Sequence, residues 1–175
     1  MKKILAISGS LRSKSSNTAL LMAAKSLAPA NCEIHFFQGL DALPHFNPDR
    51  EGEVIPALTH WREEVSNSDA LLICSPEYAH GIPGTLKNAF DWIVGTNELD
   101  KKPIGIINAT PMYESKSYAQ EALVEVLKTM SGTITPDTIL GIHQVKSKLD
   151  KDNKLIDEQT ARSIQKLLEN LLKLT

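Results

Sequence analysis

Two cysteines, Cys32 and Cys74, are the only thiols in 175 residues. That scarcity excludes a disulfide framework, and no Cys or His pair has the spacing of a metal site. Two unpaired thiols fit a reducing compartment. Charge of either sign is also lacking in excess. Lys plus Arg number 19 and Asp plus Glu 21, a net charge of −2. This balance excludes a polybasic surface for nucleic acid or membrane. It also lacks the acidity expected of a carrier that docks on basic electron-transfer partners. Long apolar runs are missing as well. After Met1-Lys2-Lys3 the first apolar run stops at Ser8, too short for a signal peptide or a membrane span. A cytoplasmic location is expected. Asn108-Ala109-Thr110 matches a glycosylation acceptor, read as chance without a secretory signal. The length suits one domain over residues 1–175, able to bury roughly two-thirds of its unfolded surface without staples.

The chain does hold short apolar runs alternating with helical periodicity, the pattern of a parallel sheet covered by helices. Strands are expected at Ile4–Ile7, Glu33–Phe37, Ala70–Cys74, Ile104–Asn108 and Thr138–Ile142. Helices are expected near Asn17–Leu27, Pro56–Ser66, from Pro83–Thr85 to Gly95, Ser117–Met130 and Glu158–Leu174. Ala70–Cys74 is continuously apolar and should be buried on both faces. Five such units predict an α/β, doubly wound, five-stranded parallel sheet of order 2-1-3-4-5, with helices on both faces. Ligands of such sheets bind beyond the carboxyl ends of the strands, where the order reverses. That point lies between strands one and three.

Three loops meet there. The first, Ser8 to Thr18, holds six hydroxyl residues, Gly9 and Arg12. Amides at a helix start and the positive end of its dipole form an anion site. Ser10, Ser15, Asn17 and Thr18 add hydrogen bonds, and Arg12 adds charge. One Ser or Asn would suffice as a helix cap. The loop has neither the Gly-Lys-Ser/Thr ending of a P-loop nor a three-glycine dinucleotide fingerprint. A monophosphate is the expected anion. The second loop, Ser75 to Gly84, has two prolines and two glycines, which specify a backbone path. It puts Tyr78 at the switch point, where its ring can face a planar ligand. The third loop, Asn108 to Ser117, reads on its own as a polar loop and helix cap.

Ser8-Gly9-Ser10-Leu11-Arg12 with Ser15 and Asn17, followed by Pro76-Glu77-Tyr78, Gly81, Pro83-Gly84, Leu86-Lys87-Asn88-Ala89 and Asp91-Trp92, resembles the NAD(P)H-dependent FMN reductase family of quinone, chromate and azo-dye reductases. The resemblance spans roughly residues 2–130 and implies a flavodoxin-like fold. It implies non-covalent FMN, with NADPH or NADH as co-substrate and a small acceptor: a quinone, flavin, azo dye or metal oxyanion. The alternative is an FMN-binding electron carrier or redox-regulated partner protein with little turnover. The resemblance makes Ser10, Arg12, Ser15, Asn17 and Thr18 phosphate contacts. It makes Pro76, Glu77, Tyr78, His80 and Gly81 contacts of the ring, with Thr110 and Ser115 from the third loop. No catalytic side chain and no metal are expected, because the flavin carries the chemistry. Two positions depart from the family pattern. His80 stands where Asn is frequent, and Ser115-Lys116 where a Gly-Gly pair approaches the flavin edge. A homodimer or homotetramer is expected, from the family and from Phe90, Trp92, Ile93 and Val94, more large apolar residues than one buried helix face needs.

Overall fold

The computed structural model describes residues 1–113 and 117–175. Strands and helices alternate as β1 (Lys2–Ser8), α1 (Ser16–Ser26), β2 (Cys32–Phe36), α2 (Pro56–Ser66), β3 (Ala70–Ser75), α3 (Gly84–Asp91), β4 (Ile104–Ala109), α4 (Tyr118–Thr129), β5 (Ile139–Ile142) and α5 (Glu158–Leu172). All neighbouring strands are parallel, in the order β2-β1-β3-β4-β5. This is the expected flavodoxin-like sheet. The register aligns Ser8 with Cys74 and Ser75 with Asn108. The loops after β1, β3 and β4 therefore leave from one edge.

The two-residue period of a strand divides the core. Leu5, Ile7, Leu71, Ile73 and Ile106 pack with α2, α3 and α4. Ile4, Ala6, Leu72, Cys74 and Ile107 pack with α1 and α5. Every residue of β3 is buried, as its unbroken apolar run requires with helices on both faces.

The third helix differs from the expectation. It ends at Asp91, and the chain tightens into turns in which the Ile93 amide bonds to Phe90 O (3.0 Å). That bend carries Trp92 and Ile93 into the core instead of around a helix. Phe90, Trp92 and Ile93 are all buried within the chain, and of the four apolar residues only Val94 is exposed. Phe90, Trp92 and Ile93 are therefore absorbed by the chain's own core, and Val94 alone of the four is left at the surface.

Trp92 and Asn88 instead hold the long loop after β2. Asn88 Oδ1 accepts from the Phe46 amide (2.7 Å), and its Nδ2 donates to Pro44 O (2.9 Å). Trp92 Nε1 donates to the same carbonyl (2.7 Å) and its ring meets Phe46 edge-on. Two side chains thus satisfy backbone groups that a loop over the core cannot pair by itself.

Asp157 caps α5. Its carboxylate accepts from the hydroxyl and amide of Thr160 and from Lys148 Nζ (3.1 Å). These bonds, those to Thr160 foremost, lower its pKa from 3.8 to about 2. A depressed carboxyl contributes stability above its unfolded pKa and loses it as pH falls through the folded value. The melting temperature should therefore fall more steeply between about pH 4 and about pH 2 in the wild type than in Asp157→Asn. Parallel slopes in circular-dichroism melts would show that the cap is not titrating.

Candidate functional site

The first loop leaves β1 at Ser8 and enters α1 at Ser16. Its start is seated against β3: the Gly9 amide donates to Cys74 O (2.9 Å). A Cβ on Gly9 would lie 2.8 Å from Ser75 Oγ and 3.2 Å from both Ser75 Cβ and Leu86 Cδ2. Only glycine lets the first loop approach the second this closely.

Most of the expected phosphate residues organise the loop itself. Ser10 is buried, and its Oγ accepts from the Arg12 amide (3.4 Å). Ser15 caps α1, accepting from the Asn17 amide (3.2 Å). Thr18 Oγ1 lies 2.8 Å from Ser8 Oγ. Asn17 is buried, and its Oδ1 accepts from the Cys74 thiol (3.3 Å). Burial pushes that thiol's pKa up, so it stays protonated and remains a donor. These bonds leave Asn17 its amide NH2 for other acceptors.

The start of α1 combines a first turn free of acid, a feature shared with α2 and α3, with two nearby cations. The first turns of α4 and α5 carry Glu121 and Glu158. The first turn of α1 carries no acid. Arg12 and Lys14 are exposed, and neither side chain has a partner among the described residues. Two unpaired cations and an uncompensated helix start suit a phosphate dianion. The residues present therefore fit the phosphate end of FMN. A cavity of about 660 Å³ lies along α1, toward residues 152–155, and touches none of residues 75–84. It adjoins the first loop but not the second.

The second loop makes a tight hairpin. Tyr78 and Gly81 exchange both backbone bonds (3.0 and 2.9 Å), with Ala79 at φ 49° and His80 at φ 59° between them. Two positive φ values in a two-residue turn fit the type I′ pattern, which favours Asn and Gly. Each non-glycine residue there costs roughly 1–2 kcal/mol, and strain of this kind gathers at functional sites. The turn leaves Tyr78 half-exposed at the carboxyl edge of the sheet. Pro76 O accepts from Ser75 Oγ (3.1 Å).

The second loop also grips α4. Glu77 Oε2 accepts from Ser117 Oγ (3.2 Å) and from the Ala119 amide (3.0 Å). His80 stacks on Tyr118, with ring centroids 4.6 Å apart and an interplanar angle of 22°. The Glu77 carboxylate is turned to the helix, which leaves its backbone for a ligand. Thr110 closes β4 against the β5 side: its amide donates to Ile142 O (2.9 Å) and its carbonyl accepts from Val145 N (3.0 Å). Ser115 and Lys116 lie outside the described residues. Sequence reasoning missed Gly9 as a close-contact residue, and Cys74, Ser117 and Tyr118 as partners. The N-cap pattern at Ser117 was legible, but not that Glu77 would reach it across 40 residues.

A flavodoxin-like sheet with an anion-ready loop beside an exposed aromatic turn defines a flavin-binding class of protein. The model of the family described as NADPH-dependent FMN reductase matches residues 2–147. The chain is 32% identical over 172 residues to an NAD(P)H-dependent FMN reductase of Pseudomonas aeruginosa, covering 97% of this chain and 92% of that protein. It is 32% identical over 177 residues to a probable NADPH:quinone oxidoreductase of Oryza sativa subsp. japonica, covering 97% and 86%. The structure of FerB, a flavoenzyme NAD(P)H:(acceptor) oxidoreductase of Paracoccus denitrificans, superposes with a TM-score of 0.85 at 27% identity, covering 99% and 96%. The chain belongs to the NADPH-dependent FMN reductase family. It is an oxidoreductase with FMN as cofactor and NAD(P)H as electron donor. Among the described residues, no helix is long and apolar enough to cross a membrane.

Proposed function

We propose that residues 1–175 form one FMN-binding domain that passes hydride from NADPH or NADH to a small acceptor, a quinone or related oxidant foremost. The observation that carries this reading is the α1 start with Arg12 and Lys14, unpaired among the described residues, next to the exposed Tyr78 turn. Ser10, Arg12, Ser15, Asn17 and Thr18 hold the phosphate, Arg12 by charge and Asn17 by its free amide NH2. The backbone of Pro76 to Gly81, with the rings of Tyr78 and His80, lines the isoalloxazine. Thr110 closes the far side, and Ser115, outside the described residues, is a further candidate contact. Bound FMN supplies the heterocycle that accepts and returns the hydride. The chain's own part is to bind, orient and shield that ring. The quinone acceptor is supported by relatives named for quinone reduction. A cytoplasmic location is supported by two buried free thiols.

Anaerobic stopped-flow mixing of FMN-loaded protein with NADPH and with NADH should bleach the bound flavin rapidly, and a quinone should restore its colour. A flavin that binds but is not reduced by either nucleotide would replace the enzyme by an electron carrier needing a separate reductase.

We also propose a homodimer or homotetramer. Supporting it is a shallow groove of about 190 Å³ between α3 and α4, lined by Val94, Val126 and Met130 among others, with Val94 exposed. Sedimentation at micromolar concentration should give a multiple of 19.3 kDa; a monomer refutes it.

A further inference from the structure

We propose that Glu77 is a positioning residue that couples the turn against the flavin ring to the first turn of α4. This rests on the FMN reading of the Tyr78 turn. A helix start leaves four amides unpaired. In α4 the Glu121 amide bonds to Ser117 O (3.2 Å), and the Gln120 amide to Ser117 Oγ (3.1 Å). The Ala119 amide has its acceptor in Glu77, which comes from the loop after another strand. Ser117 Oγ also donates to that carboxylate, so one oxygen joins the cap residue and the second helical residue. Three residues further along the same loop, His80 stacks on Tyr118, the first residue of α4. The turn between these two grips is the strained pair Ala79-His80.

A plain helix cap does not require this arrangement, because Ser117 alone supplies a side-chain cap. The carboxylate adds a charge-assisted bond at the positive end of the helix. A ligand that orders the Tyr78 turn therefore also orders residues 118–121, through Glu77.

Amide hydrogen exchange on the full chain tests this, with and without FMN, alongside a separate absorbance titration for FMN binding. In the FMN-free protein, Glu77→Ala should speed exchange at Ala119 by about tenfold relative to wild type. Glu77→Gln keeps an acceptor oxygen and should recover most of that protection. In the wild type, FMN should slow exchange in both 77–82 and 118–121. In Glu77→Ala it should still slow 77–82 but no longer Ala119, whose acceptor is gone, whatever the His80–Tyr118 stack retains. Unchanged Ala119 exchange in FMN-free Glu77→Ala, or FMN protection of Ala119 that survives the substitution, overturns the proposal. Failure of the wild type to bind FMN overturns the functional reading instead, and leaves the FMN-free comparison to decide the contact.

Discussion

Replacing Arg12 by Ala should weaken FMN binding by about ten- to a hundredfold. A charge-assisted hydrogen bond contributes roughly 1.5–3 kcal/mol, and each 1.4 kcal/mol or so is a factor of ten in affinity. The substitution is clean because Arg12 is exposed and its side chain has no partner among the described residues. Melting of the FMN-free protein should not move, since surface changes of this kind stay within about 0.5 kcal/mol. Riboflavin, which lacks the phosphate, separates this site from the ring site. Its affinity should be equal for wild type and Arg12→Ala. Arg12→Lys keeps the charge but loses the planar fork, and should fall between the two. Fluorescence titrations with both ligands decide the matter. Equal FMN affinity in wild type and Arg12→Ala removes the phosphate from this loop.

Replacing Gly9 by Ala should destabilise the FMN-free fold by about 1–3 kcal/mol, the usual cost of forcing a methyl into a packed site. At roughly 2–4 °C per kcal/mol for a chain of this size, the melting temperature should drop by several degrees. The new Cβ would lie 2.8 Å from Ser75 Oγ, with Ser75 Cβ and Leu86 Cδ2 both at 3.2 Å. Rotating the hydroxyl relieves only the first contact. Ser75 is buried at the end of β3, and Leu86 lies in the core on α3, so neither withdraws freely. The strain falls on the junction of the first two loops, and FMN affinity should fall as well. Removing the nearest atom tests the cause. Ser75→Ala in the Gly9→Ala background should recover part of the loss, a coupling that a double-mutant cycle measures. Additive effects would place the strain elsewhere.

Much of this molecule was determined by local pattern. Strand order, the two-sided burial of β3 and the convergence of three loops follow from apolar runs spaced by amphipathic helices. Those signals act over a few residues, and the handedness of β–α–β crossovers leaves few other topologies. The hydroxyl-rich first loop and the Pro-Glu-Tyr stretch were legible for the same reason: their chemistry is carried by residues adjacent in the chain. The end of α3 was not. Phe90, Trp92 and Ile93 read as an apolar surplus, but Phe90 is buried on α3 and a bend after Asp91 buries the other two, and that bend answers to the loop at Pro44 and Phe46, some 40 residues away. Only the tertiary structure decided what each polar group does. Asn17 meets Cys74, Thr18 meets Ser8, and the Glu77 carboxylate meets the start of α4. A side chain's type states what it can bond. Which bond it makes depends on which buried donors the fold brings within 3 Å or so, because an unpaired one costs more than an alternative contact returns.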